Sequence, residues 1–523
     1  MRRAINLLGV LSTLAFAVHA ALSYVQAPIA TFSERPYGQI LFYQRLADRL
    51  TQIPWLVDAA WRMNPQPARS GRGPADRKAI VARSLSGDGP MGDPRRFSLS
   101  YGLPLAAITV VALATLVFLQ RYPQSVNERT PRQLITWAGI FAVVMAFAVP
   151  VLVPDFWLSF AWGRTLWWGG NPYYAVPAQA VHDLPFDAPI LRATYGPLWL
   201  HLSWLVSRVT LGSVLWGTIV FKTLLVAAWI GTLLLLDQLL RAASVVHRCM
   251  ALVVVGWLPL GVVQTVGDGH NDVFMVAAIL GWVLLLEQGR GMAASISLTL
   301  SVLVKYVSAP LFLLDLLHQP NGQGPRHVLA ERIRNYLPRA LVVALLVVLA
   351  FAPVFRGLDF FRSTGEVRGG YFFLPADAVK AIGTMAGTNL LPLALAVQAI
   401  FPLVTLWTLW RYYQSPSHEH FRLAVAGIML SMLFIVAGHV WPWYVIWLLA
   451  VAALVPASTT FRWTTGVALG APVILVPWTA YPQASEFVRY HVPSLVVYAA
   501  ALLWTIWLGR SITRAARGPS PAT

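Results

Sequence analysis

Long apolar runs separated by short polar stretches dominate the chain. They fall at about 5–24, 101–119, 134–153, 213–237, 249–266, 272–287, 292–314, 339–355, 388–410, 422–438, 444–457, 463–480 and 493–509. A hydrocarbon core about 30 Å thick takes roughly 20 apolar residues of α-helix, so this pattern predicts about 11 to 13 transmembrane helices. Lipid offers no partner to exposed backbone groups, and the alternating pattern of a membrane barrel is missing; the predicted fold class is therefore all-α, a polytopic helical bundle. A shorter apolar stretch from Leu198 to Val209 is bounded by loop residues and reads as a helix along the membrane surface.

Composition agrees with lipid as the solvent. Hydrophobic residues make up 57% of the 523, and only 11% are charged, against about a quarter in soluble chains. The formal charge of +18 does not call for a nucleic-acid partner, because Lys and Arg collect in cytoplasmic loops. Arg121, Arg129 and Arg132, then Arg241, His247 and Arg248, then Arg326, Arg332, Arg334 and Arg339, then Arg411 and Arg422, then Arg510, Arg514 and Arg517 mark such loops. The intervening loops 154–194, 266–271, 356–387, 438–443 and 481–492 then face outward. Strict alternation fails unless 292–314, interrupted by Lys305, enters and leaves from the cytoplasmic side as a broken pair. Four parts follow: residues 1–27 as a retained first helix; a basic, partly disordered extracytoplasmic segment 28–99, rich in Pro, Gly and Arg; a core 100–355 with its outer loop 154–194; and C-terminal helices 356–523. The single cysteine, Cys249, permits no intrachain disulfide.

Candidate chemistry concentrates on the outward loops. Asp155 stands where the third apolar run ends, a place where a carboxylate can take a proton from a hydroxyl arriving along the membrane surface, or simply be an interfacial Asp. His270, Asn271 and Asp272 open the next relevant helix. Asn271 and Asp272 read as helix caps or substrate contacts, and the helix N-terminus favours an anion. A metal site from His270 with Asp268 or Asp272 is nonspecific, and none is assigned. Lys222 and Lys305 interrupt apolar runs, which is costly unless each snorkels or faces a polar cavity. Arg164 and Arg192 can bind phosphate or pair with Asp183 and Asp187. His439, Trp441, Trp443 and Tyr444 form either an aromatic belt or the border of a sugar site.

The ordered series Asp155, Gly163-Arg164, Gly170-Asn171-Pro172-Tyr173 and Tyr195-Gly196-Pro197-Leu198 resembles the first outer loop of GT-C glycosyltransferases. It is most similar to that of the bacterial α-mannosyltransferases that use polyprenyl phosphate mannose. Gly269-His270-Asn271-Asp272, Lys305, and Pro442-Trp443-Tyr444 with Trp447 continue the likeness in order. Phe160 stands where the family often has a Tyr, and segment 28–99 has no counterpart. The resemblance implies a cytoplasmic-membrane enzyme with its site outside. It would transfer a hexose, mannose first, with inversion from a polyprenyl phosphate to a lipid or glycan hydroxyl, without a cofactor. Asp155 would be the base; His270, Lys305, Arg164 and Lys222 would meet the donor phosphate; Asn171, Tyr173, Tyr195, Asn271, Asp272, His439, Trp443 and Tyr444 would contact substrate. A transporter is the alternative, but it would show matched, repeated halves, which are not seen. A flippase would lack a dedicated base in this loop.

Overall fold

The structure is a computed structural model and describes residues 1–30, 94–150, 155–181, 184, 192–318, 329–357, 373–436, 440–474, 485 and 487–516. Most of segment 28–99, together with Asp183, Asp187, Arg326 and His439, lies outside the described residues.

The described residues form helices and no strand. In chain order they are α1 (Arg2–Ala30), α2 (Pro94–Arg121), α3 (Thr130–Ala146), α4 (Asp155–Trp167), α5 (Pro197–Val209), α6 (Val214–Leu239), α7 (Val245–Gly256) and α8 (Pro259–Val262). A π-turn, Val263–Gly267, leads into α9 (Asp272–Glu287) and then α10 (Gly291–Val304). A 3-10 stretch, Tyr306–Leu311, continues as α11 (Phe312–Leu317). The remainder are α12 (Leu329–Phe351), α13 (Pro375–Ala386), α14 (Leu391–Gln414), α15 (His418–Ser431), α16 (Val445–Ala452), α17 (Thr459–Gly470) and α18 (Val492–Ala516).

Six described helices are long and apolar enough to cross a membrane, and a seventh span results if α7 and α8 with its π-turn, bent by 47°, count as one. The expected 11 to 13 is not reached on this criterion, for a local reason. Several apolar runs are cut into helices shorter than a bilayer, including Gly291–Val304, Tyr306–Leu317 and Pro442–Ala452. Pro259, Pro310 and Pro442 each stand at or inside such a break, where the missing N–H ends the helical ladder.

Run 292–314 does turn back on itself. Lys305 adopts an extended backbone at the end of α10, and the returning arm places Asp315 beside α10 and α9. Asp315 accepts from Ser295 at 2.5 Å, Trp282 at 2.9 Å and Tyr336 of α12 at 2.8 Å. Arginines that the charge pattern groups on one side also gather at one end of the helices. Arg248 binds Asp237 and Glu128, and Arg422 binds Glu287 through two nitrogens at 2.8 Å. The helix α9 runs from Glu287 at that end to Asp272 at the other, and the loop residues of interest lie around Asp272.

Candidate active site

Asp155 opens α4 and faces two residues from distant parts of the chain. The Tyr195 hydroxyl donates to Asp155 Oδ2 at 2.8 Å, and His270 Nδ1 stands 3.6 Å from the same oxygen. The Asp155 side chain is 26% exposed and the His270 ring 0%, so the carboxylate is the accessible member of the pair. Burial raises the Asp155 carboxyl, but His270 first, then Tyr195 and Lys305, outweigh it and hold the pKa below the ordinary carboxylate value. The group is ionised at neutral pH, as a proton acceptor must be.

Local backbone geometry explains the meeting. His270 follows Gly269, whose φ of +83° lies in the left-handed region that glycine tolerates. A Cβ on Gly269 would sit 2.2 Å from Phe156 Cδ2, so Phe156 packs directly on the glycine backbone. Asp155 precedes that phenylalanine and His270 follows that glycine; the contact therefore brings the two together. Tyr195 is fixed from behind. Its carbonyl accepts from Tyr173 at 2.8 Å and Tyr306 at 3.3 Å, and the next residue, Gly196, donates its N–H to Val304 at 2.9 Å. A side chain at Gly196 would reach within 2.0 Å of the Leu303 carbonyl oxygen.

Beside this pair lies a buried ion pair in an aromatic box. Lys305 Nζ is 2.6 Å from Asp272 Oδ1, and the Trp447 indole donates to the same oxygen. Tyr195, Tyr444 and Trp447 present ring faces to the ammonium at 4.9, 4.9 and 5.0 Å, which offsets part of its desolvation. The His270 ring stacks on Trp443 at 4.2 Å, and Trp443 stacks on Trp441 at 5.2 Å. The aromatic motif 441–447 therefore packs against His270, Asp272 and Lys305.

Several buried polar atoms here make no hydrogen bond: Nε2 of His270, whose Nδ1 faces Asp155, both amide atoms of Asn271, Asp272 Oδ2 and the Trp443 indole nitrogen. Each such group costs about 1–3 kcal/mol when left unmet. Asn271 occupies the N-cap of α9 yet makes no capping bond, so the cap reading does not hold for its side chain.

Other expected contacts stand elsewhere. Arg164 lies nine residues along α4 from Asp155, and its guanidinium donates to the carbonyls of Ala180 at 3.2 Å and Gly212 at 2.5 Å. These bonds close the loop. Lys222 likewise does not face the expected anion; it donates to the carbonyls of Val266 at 2.6 Å and Gly267 at 2.5 Å. Asn171 holds the loop, through Val354 at 2.5 Å and the Tyr173 N–H at 3.1 Å, and Tyr173 is fully buried behind Tyr195. The expectation for His439 lies outside the described residues. Asp268 turns to Tyr101 and Gln264 and Asp272 to Lys305, so neither carboxylate is paired with His270. Among the described residues no three His, Cys, Asp or Glu side chains are grouped to hold a metal.

Sequence reasoning gave Phe160 as a lost hydroxyl. The structure supplies a phenol from Tyr195 instead, and adds Tyr306 and Phe156 as supports to which the sequence assigned no role. Adjacency to Lys305 and to Asp155 was the only signal for either.

A helical protein with membrane-length apolar helices, an ionised carboxylate at a buried imidazole and unmet polar atoms beside them has the features of a membrane enzyme acting on a polar group. Comparison with known proteins narrows the class. Residues 81–316 match the family described as alpha-(1->6)-mannopyranosyltransferase, N-terminal domain. The chain is 27% identical over 374 residues to alpha-(1->6)-mannopyranosyltransferase A of Mycobacterium tuberculosis, covering 67% of this chain and 71% of that protein. No solved structure matches. Both matches point the same way as the motif resemblance drawn from the sequence, and the matched region holds Asp155, Tyr195, His270, Asp272 and Lys305.

Proposed function

We propose that the protein is a membrane mannosyltransferase that moves mannose from a polyprenyl phosphate to an acceptor hydroxyl, with inversion. The site would open on the extracytoplasmic side of the cytoplasmic membrane, and the shorter apolar helices would complete a bundle of about 11 to 13 passes. The observation that carries this reading is the ionised Asp155 carboxylate, partly exposed and held by Tyr195 and His270. Asp155 takes the proton of the acceptor hydroxyl. The acceptor's oxygen forms the bond to the anomeric carbon from the face opposite the phosphate, and the carbon–oxygen bond to phosphate breaks with its electron pair leaving on the lipid phosphate.

His270 and the N-terminus of α9 are assigned to the departing phosphate, with Lys305 contributing charge from its pair with Asp272. The unpartnered atoms of Asn271 and Asp272 Oδ2 are assigned to the sugar. Two of those atoms are acceptors, which a sugar hydroxyl can satisfy and a fully ionised phosphate cannot. The similarity to a protein named as a mannopyranosyltransferase supports mannose as the sugar. The basic arrangement of loops supports the outward orientation.

Incubating the purified protein with polyprenyl phosphate mannose and a membrane extract, and following free polyprenyl phosphate and products by mass, tests the proposal. Acceptor-dependent release is the expected result. Movement of intact donor across a vesicle without release would establish a flippase instead.

A further inference from the structure

A buried lysine two turns into α6 has no place in the chemistry above. Lys222 is 3% exposed and sits within an apolar helix long enough to cross a membrane. A cation at such depth is retained where it has a partner and a task. Its partners are the carbonyls of Val266 and Gly267, the last residues of the π-turn before Asp268-Gly269-His270. These carbonyls need a donor because the chain leaves the helical path: the His270 N–H returns to the Gln264 carbonyl at 3.3 Å, and the Asp268 N–H to Val263 at 2.7 Å. Single π-turns of this kind recur at functional sites.

The same ammonium lies 5.4 Å over the Phe156 ring. Phe156 is the residue that packs on Gly269, and neighbouring Phe221 of α6 meets both Phe156 and Phe160 edge-on. The α6 helix thus touches the segment carrying Asp155 and the segment carrying His270 at once. We propose that Lys222 is a positioning residue: its ammonium clamps the Val266 and Gly267 carbonyls against Phe156 and so sets the separation of His270 from Asp155. The inference rests on Asp155 being the base, but it assigns Lys222 to backbone and not to donor phosphate.

The two assignments differ in kinetics. Lys222→Met releases the turn, and a displacement of about 1 Å at the reacting groups lowers kcat by about 100-fold while the KM for polyprenyl phosphate mannose stays near wild type. Lys222→Arg, which keeps the charge and can still reach carbonyls, recovers a large part of kcat. Gly269→Ala disturbs the same contact from the other side without removing a charge, and gives the same loss in kcat at an unchanged KM. Asp155 is faced by His270, Tyr195 and Lys305; loosening His270 shifts the acid limb of the kcat profile to higher pH in Lys222→Met, which a general loss of folded protein would not do. A rise in KM with kcat preserved in Lys222→Met would overturn the proposal in favour of phosphate binding, as would wild-type kinetics in both Lys222→Met and Gly269→Ala. Asp155→Asn run in parallel separates the two ideas: if it retains full turnover, the base assignment fails, whatever the Lys222 variants do.

Discussion

Arg248 and Arg422 stand at one end of the helices, and His270 and Asn271 at the other, and the two ends treat polar groups differently. Arg248 fills its guanidinium with Asp237 at 2.5 and 2.8 Å and with Glu128 at 3.1 Å, and Arg422 does the same with Glu287 and the Leu239 carbonyl. At the opposite end, within three consecutive residues, His270 Nε2 and both amide atoms of Asn271 make no hydrogen bond, and Asp272 uses one oxygen of two. Unmet polar groups oppose folding, so their concentration in residues 270–272 marks a place suited to receive something polar, whereas Arg248 and Arg422 hold helices together.

The largest expected effect falls on the second region. Asp155→Asn keeps nearly the same shape and loses the proton acceptor, so turnover should fall by about 10²–10⁴-fold while the protein stays folded in detergent, its unfolding midpoint lowered only by the lost charge facing His270, Tyr195 and Lys305. Wild-type turnover would remove the chemical meaning from this end. The reciprocal test is Arg248→Met, which leaves Asp237 and Glu128 without their cation. It should lose about 3 kcal/mol of stability, read as a lower unfolding midpoint, with turnover per folded molecule unchanged. A turnover defect without a stability defect would erase the distinction between the ends.

Tyr195→Phe sharpens the comparison through pH. The Asp155 pKa is lowered, so the carboxylate is ionised above that value and activity through it is lost only as pH falls through a point below 3.8. Stability from the same group is present above the ordinary value and lost over the same acidic window. Removing the Tyr195 hydroxyl takes away one source of the lowering. The acid limb should therefore begin at higher pH, and a hydrogen bond to a charged group, worth about 1.5–3 kcal/mol, should cost roughly tenfold or more in kcat. An acid limb unmoved by Tyr195→Phe would show that the phenol does not act on Asp155. The smallest effect is expected for Asn271→Ala. Deleting an amide that makes no hydrogen bond removes its cost, so stability should hold or rise, while donor KM rises by about tenfold, the equivalent of one hydrogen bond of about 1 kcal/mol or slightly more. Lost stability with an unchanged KM would place Asn271 with the structural end.

Asp155, His270 and Lys305 were legible in the chain because each is a polar residue in a setting that charges for it, either at the edge of an apolar run or within one. Arg164 and Lys222 met the same description and turned out to hold carbonyls of Gly212, Ala180, Val266 and Gly267. A cation that completes a turn and a cation that waits for phosphate carry the same side chain, and spacing along the sequence does not separate them. The count of long apolar helices among the described residues falls below the number of apolar runs for a related reason, since hydropathy registers an apolar run but not the proline or extended residue that interrupts its helix.

The order of apolar and polar residues was enough to determine a helical membrane protein, the arginine-rich end and the family resemblance, because these depend on solvent preference and on local motifs. Only the tertiary structure decided that Tyr195 reaches Asp155, that Trp443 and Trp447 join His270 and Asp272, and that Lys222 faces backbone. Those contacts join residues far apart in the chain, and their distances follow from how helices pack, with Phe156 against Gly269 and Gly196 against Leu303, which no single segment specifies.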